Sequence, residues 1–323
     1  ILGILNGDNK AEVSGKTSLV DGIFGMYEIT PDIQKAEDYF DDPEVDGGKK
    51  GSAWYLNSYT YTQTDAESAS GKAATDNSIL LNNLWKSNYL SMFKRAGKLH
   101  RESSEKENLW AEAFGGKFKS SSKYGNKLSQ NYSGVQIGYD KLLSPELWGG
   151  KVYTGFYLNK IDGSGSFSGT DSDQSSIGVG AYASWTGKKG HYLDFALTGS
   201  KLKDEYSLYT TMANGTQGKV DADYGTWAYG LGVAYGKYNK LKDGWFYNPQ
   251  AAFFAGHVDE TDYELSNGLK VRQSGYDTAT GKLGIDFGKN FAEGKGNIYI
   301  GAGETQGVHL IAKAIKTLHN RYP

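Results

Sequence analysis

The chain contains no cysteine, only five prolines in 323 residues, and a formal net charge of −2. Without Cys there is no disulfide framework, no thiolate metal site and no thiol nucleophile. An oxidising compartment stays open all the same. A charge so near zero gives no electrostatic reason to expect nucleic acid as a partner. Long apolar runs are missing too: the uncharged stretches, such as Trp227–Gly236, are interrupted by Gly, and a spanning helix needs about 20 apolar residues. The start, Ile1-Leu2-Gly3, has neither Met nor a charged-then-apolar leader. The sequence therefore reads as a piece of a longer chain, and a missing export signal carries no information.

What the chain has in excess is Gly, with 44, and Tyr, with 24. Gly and Tyr set in alternating patterns are the profile of a membrane β-barrel, whose polar lumen residues dilute the average hydropathy. Three regions follow one another. Residues 1–70 hold short alternations, Ile23–Ile29 and Ala53–Leu56, separated by an acidic stretch with Asp41, Asp42, Glu44 and Asp46. They read as short strands joined by polar turns. In 71–106, Leu81, Leu84, Trp85, Met92, Ala96 and Leu99 recur at helical spacing. With Asp76 as cap, a helix to Arg101 is roughly 39 Å long. Its second half carries Lys86, Lys94, Arg95, Lys98 and Arg101, which suit a solvated face and the C-terminal dipole.

From Asn108 onward nine strand signals recur: Leu109–Phe118, Gly134–Asp140, Lys151–Asn159, Ile177–Thr186, Tyr192–Lys201, Trp227–Tyr238, Phe246–Gly256, Ala279–Gly288 and Asn297–Gly303. Each is near the ten or so residues a tilted strand needs to cross a bilayer. Short turns alternate with longer connections, which we expect at Ser166–Ser175 and Ser207–Tyr224, and Asp162–Ser166 also reads as a turn. The faces separate a membrane barrel from a soluble sandwich. Leu193, Phe195 and Leu197 oppose Asp194, Ala196 and Thr198; Leu283, Ile285 and Phe287 oppose Lys282, Gly284 and Asp286. Trp227, Tyr229, Leu231, Val233 and Tyr235 back onto Ala228, Gly230, Gly232, Ala234 and Gly236. A soluble sheet would pair a large apolar inner face with a Lys- and Thr-rich outer one. Here the second face is small, as a narrow barrel with something inside requires. Trp148, Trp185, Trp227 and Trp245 stand near strand ends, where an interfacial girdle belongs.

The run Asn88-x-Leu90-(x)4-Arg95-x-Gly97-x-Leu99-x-Arg101, then Leu109-Trp110-Ala111, Gly134-x-Gln136-x-Gly138-Tyr139-Asp140, Gly178–Trp185 and Gly190–Asp194, resembles the translocator domain of bacterial autotransporters, the type V secretion family. The resemblance implies an all-β fold: an antiparallel transmembrane barrel of about twelve strands in the outer membrane with an α-helix through its pore. It further implies a domain order of 1–70 as the end of a passenger, 71–106 as the linker or pore helix, 107–303 as the barrel, and 304–323 as an atypical tail, read as helical from Val308–Ile315. On this reading Lys86, Asn88, Lys94, Arg95, Lys98 and Arg101 belong to the pore helix, and Glu112, Gln136, Asp140, Asp194, Lys282 and Asp286 to the lumen. The implied partners are outer-membrane lipid, the chain's own passenger, the barrel-assembly machinery and periplasmic chaperones. Nine strands fall short of the family's number, so the sheet is expected to be incomplete, and this chain as given is not expected to insert as a closed barrel.

Chemistry is sparse. Some family members cut their own linker helix by Asn cyclisation, which makes Asn82, Asn83 and Asn88 candidates; the alternative is that they are polar helix residues facing the lumen. His100, His191, His257, His309 and His319 show no metal-ligand spacing. No Gly-x-Ser-x-Gly elbow appears. The acidic Asp41–Asp46 lacks an EF-hand pattern. We expect no cofactor, no metal and no turnover: a translocator that anchors a passenger and assists its export, with a diffusion porin or a surface adhesin whose binding part is missing as alternatives.

Overall fold

A computed structural model describes residues 4–6, 16–21, 25–40, 51–99, 107–211, 216–291 and 296–310. The chain divides into two compact units, Ile1–Ala73 with Tyr209–Val220, and Ala74–Leu208 with Asp221–Pro323.

In the first unit, β1 (Ile4–Asn6), β2 (Ser18–Asp21), β3 (Met26–Phe40) and β4 (Gly51–Gln63) form an antiparallel sheet in the order β1-β4-β3-β2. Instead of the short strands expected, β3 and β4 make a long hairpin, its register shifted between Asp32 and Ile33. At that irregularity the Asp32 carboxylate accepts hydrogen bonds from Asn57 Nδ2 (2.8 Å) and Ser58 Oγ (3.3 Å). The acidic stretch Asp41–Asp46 lies outside the described residues.

Helix α1 runs over Ala69–Leu99 and starts before the expected Asp76 cap. The reason is local: Ser68 Oγ accepts the Gly71 backbone N–H at 3.0 Å, the geometry of a helix N-cap. Asp76 lies inside the helix and is fully buried.

The second unit is built on a ten-stranded antiparallel sheet. Its path is β5 (Glu107–Ser121), β6 (Lys127–Leu147), β7 (Gly150–Phe167), β8 (Thr170–Gly187), β9 (His191–Thr211), β10 (Gln217–Lys237), β12 (Trp245–Val258), β15 (Tyr276–Phe291) and β16 (Gly296–Leu310). The two-residue β11 (Asn239–Lys240) pairs off it with β12, and β13 (Thr261–Glu264) with β14 (Lys270–Gln273) forms a separate hairpin. All nine expected strands are present. Among the described residues, β5 and β16 stand at the two ends of the path and no ladder joins them.

The strands are longer than the alternation indicated. Ser166–Ser175 is not a loop: β7 and β8 continue to a two-residue turn, Ser168-Gly169, with φ of 42° and 77°. Trp148-Gly149, at φ 50° and 72°, joins β6 to β7 in the same way. Two successive positive φ values make the twist of the turn match that of the strands, and Gly in the second place takes up the conformation without a Cβ penalty. Likewise Asp162–Ser166 lies within β7, and most of Ser207–Tyr224 belongs to β9 and β10. The tail is corrected too: β16 passes Gly303 and pairs with β15 as far as Leu310 opposite Asp277. The rest of the expected helix lies outside the described residues.

The two faces of the wall sort as expected. Phe195, Leu197, Trp227, Tyr229, Leu231, Tyr235, Phe253, Leu283, Ile285 and Phe287 are exposed, whereas Asp194, Ala196, Thr198, Ala228, Ala234 and Asn248 are buried. Beyond this apolar band the outward face turns polar, with Lys160, Asp162, Asp171, Asp173, Lys201, Lys203 and Glu205 exposed. The inner face is not merely small. Large rings lie flat on the glycines of the neighbouring strand: Trp110 on Gly138, Tyr157 on Gly180, and Tyr182 on Gly155. Gly supplies the bare backbone on which a cross-strand ring packs. Tyr182 then donates its hydroxyl to Asp140 (2.9 Å) and accepts the Trp110 indole N–H (3.1 Å).

A Cβ at Gly155 would stand 2.5 Å from Tyr182 Cζ and 2.7 Å from the Tyr139 carbonyl, while one at the outward Gly199 meets nothing nearer than Tyr229 Cδ1 at 3.6 Å. Gly155→Ala is expected to destabilise the wall by about 1–3 kcal/mol and Gly199→Ala by less than about 0.5 kcal/mol. Urea unfolding followed by Trp fluorescence measures both; equal effects contradict the ring-on-glycine packing.

Candidate functional site

The second unit has an unusual centre. No side of the middle of α1 is exposed: Leu80, Leu81, Leu84 and Trp85 are buried, and so are Asp76, Asn77, Ser87, Asn88 and Ser91. A helix this polar is buried at low cost only if the surface around it matches its donors and acceptors one by one. The sheet curls around it and supplies many of these partners. Asn83 Nδ2 donates to Ser120 Oγ on β5 (3.0 Å), and Gln130 Nε2 on β6 donates to the Leu80 carbonyl (3.0 Å). On the other side Tyr89 stacks on Phe254 of β12 (centroids 3.7 Å apart, 15° between planes), and its hydroxyl lies 2.8 Å from Thr280 Oγ1 on β15. One helix therefore touches the first and the next-to-last long strands of the path.

Asn88 is the best-tied residue. Its Nδ2 donates to Ser176 Oγ on β8 (3.0 Å), and its Oδ1 accepts from Asn159 Nδ2 on β7 (3.0 Å) and Ser200 Oγ on β9 (3.3 Å). Leu80 and Leu84 pass over Gly165 and Gly163 of β7, where a Cβ would come within 2.6 and 2.9 Å of their Cδ1 atoms. The two glycines read as a turn in the sequence are where leucines of the helix press directly on the wall.

The other lumen candidates lie as follows. Gln136 is buried, with Nε2 3.4 Å from the Ser91 carbonyl. Asp140 is buried and accepts from Asn108 Nδ2 (2.9 Å) as well as Tyr182; Asp194 is buried and accepts from Ser184 Oγ (2.7 Å). Asp286 is half-buried and accepts from Asn248 (3.3 Å) and Gln250 (3.0 Å). Glu112 and Lys282 are half-buried on the same inward face, as is Lys86 on the helix. The side chains of Lys94, Arg95 and Lys98, and all of Arg101, lie outside the described residues, and so does any pairing of theirs with these carboxylates. Of the cyclisation candidates, Asn82 and Asn83 are buried in α1, like Asn88.

A second cluster, at the amino-terminal end of the buried helix, has no counterpart in the sequence reading. Asn77 donates its amide to Asp204 on β9 and accepts from Ser172 on β8. Asp204 also accepts from Tyr224 on β10 at 2.9 Å. Next to it, Asp76 accepts from Asn126 Nδ2 in the β5–β6 turn (2.6 Å). The signal for Asp204 is its parity: it continues the inward series Leu202, Asp204, Tyr206, Leu208, all buried. Its link to Asn77 spans 127 residues and follows from no local pattern.

Among the described residues no group of three or more His, Asp or Glu side chains could hold a metal ion, and no helix is long and apolar enough to cross a membrane. The arrangement can occlude and position. Its lumen is filled by the chain's own helix, held by polar contacts that a strand-lined wall supplies from several sides.

The family model for the autotransporter beta-domain matches residues 109–306. The BrkA autotransporter of Bordetella pertussis is 30% identical over 250 residues, 77% of this chain and 24% of that protein. The pertactin autotransporter of Bordetella parapertussis is 28% identical over 211 residues, 65% of this chain and 22% of that protein. The chain thus spans about a quarter of the length of these relatives. The crystal structure of the beta domain of Bordetella BrkA superposes with a TM-score of 0.54 at 28% identity, covering 64% of this chain and 81% of that one. The translocator domain of NalP from Neisseria meningitidis, at 11% identity, shares the fold with a TM-score of 0.56 over 70% of this chain and 77% of its own. The chain belongs to the autotransporter family and carries its β-domain.

Proposed function

We propose that this chain is the outer-membrane translocator of an autotransporter: it anchors a passenger joined to its amino-terminal side and assists its export to the cell surface. The observation that carries this reading is a polar helix, most of it buried, held against an inward wall whose outward face is apolar. Hydrocarbon is the solvent that suits such an outside, and a segment of the chain's own backbone is the occupant that suits such an inside. A diffusion porin is not favoured, because a porin needs an open lumen and this one holds α1. An adhesive or enzymatic role would belong to a passenger, and we assign no turnover to the β-domain.

The same reading gives the domain order: residues 1–70 as the passenger's end, 71–106 as the linker passing through the pore, and the barrel from 107 onward. Lys86, Asn88, Lys94, Arg95, Lys98 and Arg101 are then residues of the pore helix. Outer-membrane lipid and the passenger are the immediate partners, with the barrel-assembly machinery and periplasmic chaperones acting on the way to the membrane. In cells producing the protein from its own gene, an epitope placed just ahead of Ile1 is expected to be reached by antibody and by external protease on intact cells. An epitope protected until the envelope is broken would overturn the assignment.

We assign Asn82, Asn83 and Asn88 to positioning rather than to self-cleavage. Cyclisation needs an amide nitrogen free to attack its own backbone carbonyl, with an acid to hand. Asn88 has its nitrogen and oxygen engaged by neutral wall residues, and Asn83 donates to a serine. Intact-mass analysis of the purified chain is expected to show one species at 35.3 kDa. Fragments beginning at Asn83, Leu84 or Tyr89 would contradict this.

A further inference from the structure

The β13–β14 hairpin departs from the wall between β12 and β15 and turns one face back over the end of the lumen at which Asn77 stands. Tyr263, Leu265, Leu269, Val271 and Gln273 on that face are buried, while Asp262, Glu264, Lys270 and Arg272 on the other are exposed. The hairpin is a formed element in its own right. Leu265 N–H bonds to Leu269 O (2.9 Å) around Gly268 at φ 85°, and Arg272 grips Asp262 with two parallel hydrogen bonds of 3.0 and 2.9 Å. The hydrogen bond from the Arg272 guanidinium holds the Asp262 carboxyl below its ordinary pKa.

Its buried face meets two things. One is a pair of wall tyrosines: Tyr263 stacks on Tyr224 with centroids 4.1 Å apart and 6° between planes, and its hydroxyl lies 3.5 Å from that of Tyr206. The other is the helix: the side-chain amide of Gln273 lies 3.0 Å from Ser78 Oγ. The tyrosine contact also leads to the helix, because the Tyr224 hydroxyl donates to the same Asp204 carboxylate that Asn77 occupies. The hairpin therefore reads α1 twice, directly through Ser78 and indirectly through Asp204 and Tyr224.

We propose that the hairpin is a lid that docks only when this turn of the helix has arrived. The proposal rests on the translocator reading. A passenger segment in transit presents other side chains at this level, so Asp204 lacks its bond from Asn77, Gln273 lacks its bond from Ser78, and the lid stays loose. When Asn77 and Ser78 reach it, both bonds form and the lid closes over the end of the pore. A buried carboxylate bonded by an Asn, a Ser, a Gln and a Tyr, with no cation among its described partners, suits such a register mark: those partners are neutral and specific in position.

The absence of native cysteine makes the test simple. A single thiol introduced as Leu269→Cys, or as Val271→Cys should the first fail to fold, is labelled with a water-soluble maleimide in the full chain in micelles. The rate of labelling follows the lid-opening equilibrium. Adding Asn77→Ala and Ser78→Ala, which alter the helix alone, is expected to speed labelling about tenfold or more, the loss of a hydrogen bond to a carboxylate being worth that much. Ile161→Cys, buried in the wall, is expected to stay protected in the same background. An unchanged rate at the lid, or a parallel rise at Ile161→Cys showing general loosening, overturns the proposal. Neither result bears on outer-membrane placement, which the epitope experiment reads separately.

Discussion

The structure depends on one constraint: a sheet in hydrocarbon must turn its greasy side chains outward, so whatever lies inside has to be matched by polar groups. In a water-soluble sheet the inner face is dry and shape alone decides the fit. Here hydrogen bonding decides it. Asn88 holds three strands at once, and exchanging it for an apolar side chain would leave Asn159, Ser176 and Ser200 facing a partner that cannot answer. Each buried group so abandoned costs about 1–3 kcal/mol. That penalty fixes the helix in register as well as in place.

Space is the second part of the constraint. A narrow wall must fit around a helix and still avoid voids. Gly163 and Gly165 let α1 approach β7, while Gly138, Gly155 and Gly180 accept the rings of Trp110, Tyr182 and Tyr157. The abundance of Gly and Tyr in the composition thus has one cause: bare backbone on one strand and a flat ring on the next make a surface that is smooth, filled and able to donate. The rings bury their area against backbone and keep their hydroxyls and indole N–H for Asp140 and its neighbours.

The strands were legible because lipid demands large apolar side chains at every second position, and Leu193, Phe195 and Leu197 or Leu283, Ile285 and Phe287 supply them. Strand ends were not. Past the apolar band the outward residues are Lys203 and Glu205, so the alternation marks the strand only as far as Lys201, although the inward series from Leu202 to Leu208 continues unbroken. The helix was legible in type but not in its start, because a Ser cap followed by Gly71 is a weaker signal than Asp76. Asn88 stood out through its place in a family motif. The Asn77–Asp204 pair and the hairpin that caps it were hidden, since both depend on which turn of the helix meets which strand.

The central claim, lipid outside and helix inside, is tested most directly by two adjacent residues of β9: Leu197, 61% exposed, and Thr198, 6% exposed. Nitroxide labels are attached through Leu197→Cys and, separately, Thr198→Cys in the membrane-embedded protein. Their collision rates with oxygen, which concentrates in hydrocarbon, and with a water-soluble nickel chelate are then compared. The account predicts that the label at 197 meets oxygen freely and the chelate scarcely, and that the label at 198 is shielded from oxygen. A label at 198 that meets oxygen freely, beside one at 197 packed in a dry centre, would contradict it.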